Sequence, residues 1–170
     1  MAKLLHGHYI LLNDLSLEKY SGERLGYGYR YFYGEIDFQG YTLSTYSSST
    51  NGSDPRGLEL FSRIERSAVL KNLVLEVHLD QEFRTTDYTG FVRSNYGTIE
   101  NVIINLIDET TENLENTKIS PLIYENKVSG VVRNFIVNVV NETSLYYNSS
   151  LLVRDNYGLI ENGYIYGENI

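Results

Sequence analysis

The stretch Gly97-Thr98-Ile99-Glu100-Asn101 decides the fold, because its pattern of small, variable, aliphatic, charged and Asn residues occurs four times. The four copies end at Asn72, Asn101, Asn134 and Asn162, so the steps between them are 29, 33 and 28 residues. A nearly constant period of this size is typical of a solenoid built from stacked repeats. The sequence therefore predicts a scaffold with a long lateral surface.

The full repeat contains short strands separated by turn residues. An apolar pair precedes each copy, and in three copies an Asn follows the pair at a fixed offset, at Asn95, Asn126 and Asn156. Apolar runs such as Val102-Ile103-Ile104 are short and β-branched, which favours strands over helices. Helical repeats would need ten or more residues at a period of 3.6. We predict an all-β, right-handed, single-stranded parallel β-helix of about four coils with an irregular N-terminal segment.

The repeated asparagines predict a structural ladder. Asn tolerates the left-handed backbone of sharp turns, and stacked Asn amides bond to one another along the axis. The aliphatic positions predict two core columns. The first contains Leu70, Ile99, Val132 and Ile160, and the second contains Leu75, Ile104, Val137 and Ile165.

The domain organisation follows from the repeat. Residues 1–170 form one domain, with N-terminal strands, a cap and a loop in 1–56 and the four Asn repeats in 57–170. Strand pairs are expected in 8–17 and in 32–43, and a long loop in 44–56. The acidic segment 110–116 is expected to be a loop on the flank that accounts for the longest step. The last residues lie inside a fresh apolar repeat without a polar cap, so the chain is expected to be a fragment of a larger protein.

Composition excludes several classes of function. The chain has a net charge of −8 and no cysteine, so neither a nucleic-acid-binding stripe nor a thiolate metal site is expected. No apolar run is long enough to cross a membrane, and no signal-peptide core is present. The histidines are His6, His8 and His78, none of them in a zinc-protease motif. We therefore expect no metal and no cofactor in this chain, with His78 facing outward on a strand.

Catalysis is the weaker alternative for this fold. A β-helix enzyme acting on polysaccharide needs carboxylates that converge on one strand face. The charged position beside each Asn instead reads Lys71, Glu100, Arg133 and Glu161, which alternate in sign. Such a row predicts weak exposed ion pairs between coils. We predict no catalytic residues.

Aromatic residues form the best candidate binding site. The chain has 16 tyrosines, and alternation places Tyr27, Tyr29, Tyr31 and Tyr33 on one strand face, with Phe32 on the other. If Phe32 points into the solenoid, the four tyrosines form an exposed recognition stripe. In the alternative, their rings pack over the open N-terminal end and close the core. A smaller cluster is expected to lie on the outside of the last coils, and it contains Tyr146, Tyr147, Tyr157, Tyr164 and Tyr166.

Several motifs also carry a resemblance to a known family. The patterns spanning 9–17, 32–43 and 57–61, together with the two Asn-Tyr-Gly segments 95–101 and 156–162, resemble the GLUG-type right-handed β-helices of large bacterial surface proteins. The chain departs from that pattern at Phe38-Gln39, where a wider turn is expected, and at Ser67-Ala68. Within the class it looks most like the non-catalytic β-helical region of streptococcal immunoglobulin A zinc metalloproteases.

This resemblance implies a function. The chain would be a structural and substrate-recognition module of an extracellular, cell-surface protein that cleaves immunoglobulin A1, with zinc held only in that protein's catalytic domain. Host immunoglobulin A and neighbouring domains of the same chain would be its partners, without nucleic acid and without membrane insertion. An adhesive or carbohydrate-binding β-helix, or a polysaccharide-acting enzyme, is the alternative.

Overall fold

Every regular element that the structure describes is a β-strand. The computed structural model describes residues 6–18, 31–46, 59–79, 90–108, 120–140 and 150–167. These residues form an all-β parallel β-solenoid of about three turns, without a helix in the described ranges. The predicted fold class is confirmed, and the four Asn motifs enclose three turns because each turn runs from one motif to the next.

The strands form two parallel sheets. The strands are β1 His8–Ile10, β2 Leu15–Ser16, β3 Glu35–Asp37, β4 Thr42–Tyr46, β5 Phe61–Ile64, β6 Val69–Leu79, β7 Val92–Asn95, β8 Thr98–Asp108, β9 Ile123–Asn126, β10 Val131–Val140, β11 Val153–Asn156 and β12 Leu159–Tyr166. The larger sheet has the order β1-β3-β6-β8-β10-β12, with β4 pairing to β6 and β2 pairing to β4, and the smaller sheet has the order β5-β7-β9-β11.

Both predicted core columns are present in register. Ile99 pairs with Leu70 on one side and with Val132 on the other, and all three side chains are fully buried. The second column pairs Leu75, Ile104, Val137 and Ile165 in the same way. Ile165 is 45% exposed, because β12 is the last strand described in its sheet. Burial of these aliphatic columns is the main source of the solenoid's stability.

The smaller sheet closes the core from the other side. The apolar pairs found in the sequence align there, with Phe61, Val92 and Ile123 at equivalent positions. The rings of Phe32 and Phe91 lie 5.5 and 5.3 Å from the ring of Phe61, in tilted and edge-on geometries that aromatic pairs favour.

The N-terminal segment is more regular than expected. The strand pairs predicted in 8–17 and 32–43 are present, but β1 to β4 all pair in parallel with the larger sheet, so they extend the solenoid. The turn after Asp37 is wider than in the next coil, as expected, because four residues lie between Asp37 and Thr42 whereas two lie between Lys71 and Val74. Gln39 and Gly40 in this turn have φ values of 53° and 80°. Strand β4 runs to Tyr46, so residues 44–46, which were expected in a loop, belong to a strand, and the rest of that expected loop, 47–56, lies outside the described residues.

Part of the longest repeat step lies in the turn between β9 and β10. Asn134 lies eight positions after Asn126, whereas Asn101 lies six positions after Asn95. The extra residues form a turn that is closed by a hydrogen bond from the Gly130 amide to the Lys127 carbonyl. The segment 110–116 lies outside the described residues. The sequence explanation was therefore incomplete, because part of the added length lies in this turn.

Candidate recognition surface

The four repeated asparagines form the predicted ladder. Asn72, Asn101, Asn134 and Asn162 all have left-handed φ angles between 54° and 58°. Each side-chain amide donates to the carbonyl oxygen of the Asn one coil earlier, at 3.0, 3.1 and 3.4 Å along the chain. At the N-terminal end Asn72 donates to Asp37 Oδ1 at 2.9 Å. The turn geometry and the ladder thus depend on the same residue type.

A second Asn ladder lies inside the solenoid. Asn95 Nδ2 donates to Asn126 Oδ1, and Asn126 Nδ2 donates to Asn156 Oδ1, both at 2.8 Å. Asn95 and Asn126 are fully buried, so these bonds satisfy amides that would otherwise be costly to bury. The sequence showed these asparagines at a fixed offset but assigned them no role. Their recurrence at a fixed offset from the apolar pair is the feature of the sequence that could have revealed this inner ladder.

Small residues are required where the coils meet next to the inner ladder. A Cβ on Gly130 would overlap the side-chain oxygen of Asn126 and the backbone oxygen of Asn95. Ala68 occupies the corresponding position of the first repeat, where Ile64 replaces the ladder Asn. The departure from the family pattern at Ala68 therefore coincides with the coil that has no inner-ladder amide.

For the described part of the tyrosine run, the structure shows which side chains face the core and which face outward. Phe32 is buried in the core at 2% exposure, Tyr31 is half-buried on the outside and Tyr33 is exposed. The His6 ring stacks on Tyr33 with centroids 4.6 Å apart. Tyr27 and Tyr29 lie outside the described residues. Two of the four predicted binding residues are therefore placed on the outer surface.

Coil stacking brings other aromatic and charged residues beside them. In each coil, one residue directly follows the position that Asn95 and Asn126 occupy in the inner ladder, and these residues form one column. Backbone hydrogen bonds between adjacent coils fix the order of the residues along this column. The column is Tyr33, Glu65, Tyr96, Lys127 and Tyr157. We call this column, together with Tyr31 and Arg63, the tyrosine surface. Of this surface, the predicted binding site contained only Tyr31 and Tyr33, and Tyr157 was expected on the outside of the last coils without a role in binding. Aligning the repeats at Asn95 and Asn156 would have placed Tyr96 and Tyr157 in one column.

The side chain of Arg63 contacts two aromatic rings of the tyrosine surface. Its guanidinium carbon lies 4.4 Å from the centroid of the Tyr31 ring and 4.1 Å from that of Tyr96, so the cation is sandwiched between two rings. Glu65 Oε1 lies 2.7 Å from Arg63 Nε. Cation–π contacts at such sites contribute about 0.5–1 kcal/mol each. The arrangement orders two tyrosines from non-adjacent coils, and a rigid aromatic surface loses little entropy on binding.

Lys127 adds a second ordered cation to the surface. Its Nζ lies 2.6 Å from Glu125 Oε2, and this hydrogen bond raises the pKa of Lys127, with smaller contributions from Tyr96 and Tyr157. Tyr157, at the end of the column, is 64% exposed. Both cations thus have a carboxylate partner, which gives the surface mixed polarity rather than net positive charge.

The alternating charges beside the outer ladder are in register, as predicted, but of these four residues Glu100 and Arg133 pair with each other, whereas Lys71 pairs with Glu35 one coil earlier. Arg133 Nη2 lies 2.6 Å from Glu100 Oε2, and Lys71 Nζ lies 2.7 Å from Glu35 Oε1. The Lys71 hydrogen bond lowers the pKa of Glu35, and the same bond raises the pKa of Lys71. These pairs are partly or fully exposed, so each contributes little to stability.

The histidines occupy three different settings. His78 faces outward, as predicted, but it is not simply solvated, because it stacks on Tyr46 at 4.4 Å. His8 Nδ1 lies 3.6 Å from Glu35 Oε2. Within the described ranges, no group of three or more His, Cys, Asp or Glu residues is placed to hold a metal ion. Nor does that part of the chain contain a helix with the length and hydropathy of a membrane span.

Comparisons with known proteins give no assignment. The chain matches no family model, no curated protein and no solved structure. The assignment of the chain as a parallel β-solenoid therefore depends on its strand pairing and on the repeat pattern.

Proposed function

We propose that the chain is a non-catalytic structural and substrate-recognition module of a large bacterial cell-surface protein that cleaves immunoglobulin A1 with zinc. Host immunoglobulin A is the proposed partner, and the location is extracellular. The zinc would belong to a catalytic domain elsewhere in that protein, where neighbouring domains would contact this module. The proposed relation to proteins that cleave immunoglobulin A1 comes from the sequence motifs alone.

The observation that carries the recognition role is the tyrosine surface. Tyrosine and arginine are enriched at the centres of protein interfaces, where large amphipathic side chains contribute most of the affinity. Here Tyr31, Arg63 and Tyr96 form an ordered stack, and Tyr157 extends the surface by two further coils. Parallel strands fix the spacing between these residues, which suits a protein partner with a complementary rigid epitope.

A binding experiment with a matched control tests this role. Immobilised immunoglobulin A is titrated with the parent chain, with the Tyr31→Ala, Tyr96→Ala variant and with the Tyr164→Ala, Tyr166→Ala variant. The second pair is also exposed, at 66% and 55%, but lies on β12. We expect loss of tenfold or more in affinity for the first variant, as for interface hot spots, and no change for the second. An intact first variant that binds like the parent contradicts the proposal.

A carbohydrate-binding role is the second candidate, and a different observation favours it. The rings of Tyr164 and Tyr166 lie nearly parallel, 20° apart, with centroids separated by 6.3 Å. Exposed aromatic faces of this kind can pack against the apolar faces of sugars. A glycan array probed with the same three proteins separates the two roles. Glycan binding that only the Tyr164→Ala, Tyr166→Ala variant loses supports the second candidate.

A further inference from the structure

The outer face of the smaller sheet is the basic part of an acidic chain. Strands β5, β7 and β9 bury their first and last residues and turn the two between them outward, and β11 pairs in register with β9. Among the described residues, these outward positions and the tyrosine column carry four cations and three carboxylates, namely Arg63, Arg93, Lys127 and Arg154 against Glu65, Glu125 and Asp155. Four cations less three carboxylates leave this face at +1, whereas the whole chain carries −8.

Three of the four cations have a carboxylate partner within the chain. Arg63 and Lys127 form the ion pairs described above, and Arg154 Nε lies 3.7 Å from Asp155 Oδ2. The Arg154 guanidinium carbon also lies over the Tyr124 ring, 4.4 Å from its centroid. These three charges are therefore balanced by neighbouring residues.

The charge of Arg93 is not balanced in this way. Strand pairing places Ser62 and Tyr124 on either side of Arg93, and neither is an acid. Arg154 occupies the same position two coils later and is followed by an aspartate, whereas Arg93 is followed by Ser94. Within the part of the chain that the structure describes, the Arg93 side chain has no ion pair, hydrogen bond or ring contact. Because Arg93 is half-buried, it has lost part of its hydration without gaining a counter-charge.

Arg93 lies at the border of the tyrosine surface. The next residue, Ser94, is in register with Arg63, and Tyr96, whose ring contacts Arg63, follows three positions after Arg93. A partner that covers the ring stack therefore also covers Arg93 and removes more of its water. An arginine binds a carboxylate through two parallel hydrogen bonds, and such a pair strengthens as water is excluded.

We propose that Arg93 is an acid-binding position of the tyrosine surface, and that a protein partner docks there with the carboxylate of an Asp or Glu side chain. The guanidinium donates, and the carboxylate accepts. The inference rests on the proposed recognition role of the tyrosine surface, and it adds that the bound epitope is acidic. A basic epitope would meet the unbalanced charge of Arg93 and is disfavoured.

The test titrates immobilised immunoglobulin A at low and at high salt with the parent chain and with an Arg93→Gln variant. We expect affinity to fall roughly three- to tenfold at low salt, and the difference to shrink at high salt. Arg133→Gln is the matched control, because Arg133 is paired with Glu100 beside the outer ladder. This control should bind like the parent at both salt concentrations.

A second pair of variants leaves Arg93 in place. Ser94→Asp puts a carboxylate after Arg93, as Asp155 follows Arg154, so it should weaken binding as Arg93→Gln does. Ser94→Asn, which has nearly the same shape without the charge, should bind like the parent. Equal binding by both Ser94 variants would contradict a role for the unbalanced charge.

A fluorescent oligoglutamate peptide separates this inference from the proposed function, because it requires no antibody. Anisotropy should show binding to the parent chain, weaker binding to Arg93→Gln and none for an oligoglutamine peptide, and this result supports the site even if immunoglobulin A does not bind. The inference is overturned if Arg93→Gln, shown to be folded by circular dichroism, leaves antibody and peptide binding unchanged, or if oligoglutamine binds equally well. Binding of glucuronate but not of the peptide would also overturn it, since the site would then take a sugar acid.

Discussion

At the scale of single residues, Asn134 combines two roles that other side chains cannot combine. Its backbone has a φ of 55°, and its amide donates to Asn101 while its oxygen accepts from Asn162. An L-residue without such a side chain pays about 1–2 kcal/mol for the left-handed conformation. The ladder Asn is thus selected by backbone geometry and by hydrogen bonding together.

Two substitutions separate these roles. We expect Asn134→Ala to destabilise the fold by roughly 2–3 kcal/mol, since it loses two hydrogen bonds and retains the strained φ. Asn134→Gly should cost about 1 kcal/mol less, because Gly accepts this backbone conformation without strain. Urea denaturation of both variants and the parent gives the values. Melting of Asn134→Ala like the parent would refute the view that the ladder determines the fold.

Asp37 gives the fold a dependence on acid. Its pKa is lowered in the native state, first by the Asn72 hydrogen bond and then by the Gln39 amide and the Lys71 charge. The ionised carboxylate therefore stabilises the fold above its unfolded pKa of about 3.9. This stabilisation disappears as the pH falls through the lower native pKa. Asp37→Asn should lose less stability than the parent between about pH 5 and pH 2, and parallel stability curves for the two proteins would argue against this role.

At the scale of strands, each long strand divides its residues between the core and the surface. Within β8, Ile99 and Ile104 are buried, whereas Ile103 is 37% exposed. The same alternation occurs in β6 and β10, so buried positions of successive coils stack directly. The strand is therefore the unit that converts the repeat period into continuous core columns.

The two faces of β8 should respond differently to the same substitution. Ile99→Ala removes a fully buried side chain and should cost roughly 2–5 kcal/mol. Ile103→Ala removes an outward side chain and should cost about 1 kcal/mol or less. Thermal or chemical denaturation measures both. Equal losses would mean that the assigned faces of β8 are wrong.

The columns and the outer ladder were predictable from the repeat period. Alternation alone would place Ile99 and Ile104 on opposite faces, but the left-handed residue Asn101 between them shifts the phase so that both are buried. The tyrosine surface was predicted in part. Tyr31 and Tyr33 followed from the position of Phe32, but Arg63 and Tyr96 reach them through strand pairing between coils. Turn lengths differ between coils, so a fixed period does not align these residues. The acidic cap of the ladder, Asp37, is the last residue of β3 and is in register with Lys71, but Phe38 follows it where the four-copy motif has Asn, so the motif does not reveal it.

At the scale of the whole molecule, the solenoid is a scaffold in which each coil contacts its neighbours. Nearly all of the fold's contacts are therefore between adjacent coils, and surfaces such as the tyrosine surface are held at fixed spacing. Beside the ladder, Lys71 pairs with Glu35 and Arg133 pairs with Glu100, both between adjacent coils.

The isolated chain is predicted to lack hydrolytic activity. We expect the isolated chain to cleave neither immunoglobulin A nor polysaccharides, because neither the sequence motifs nor the described residues supply a nucleophile with its base. Electrophoresis of the antibody and chromatography of the glycans after long incubation with protease-free chain are the measurements. Cleavage that co-purifies with the folded chain would assign it a catalytic role.

The central claim is that the tyrosine surface recognises a protein partner. Hydrogen–deuterium exchange of the chain with and without immunoglobulin A tests it most directly, because it maps the contact without altering any residue. We expect slower exchange in the backbone around Tyr31, Tyr96 and Tyr157, with no change around Tyr164. Unchanged exchange at saturating antibody, or protection confined to another face of the solenoid, would contradict it.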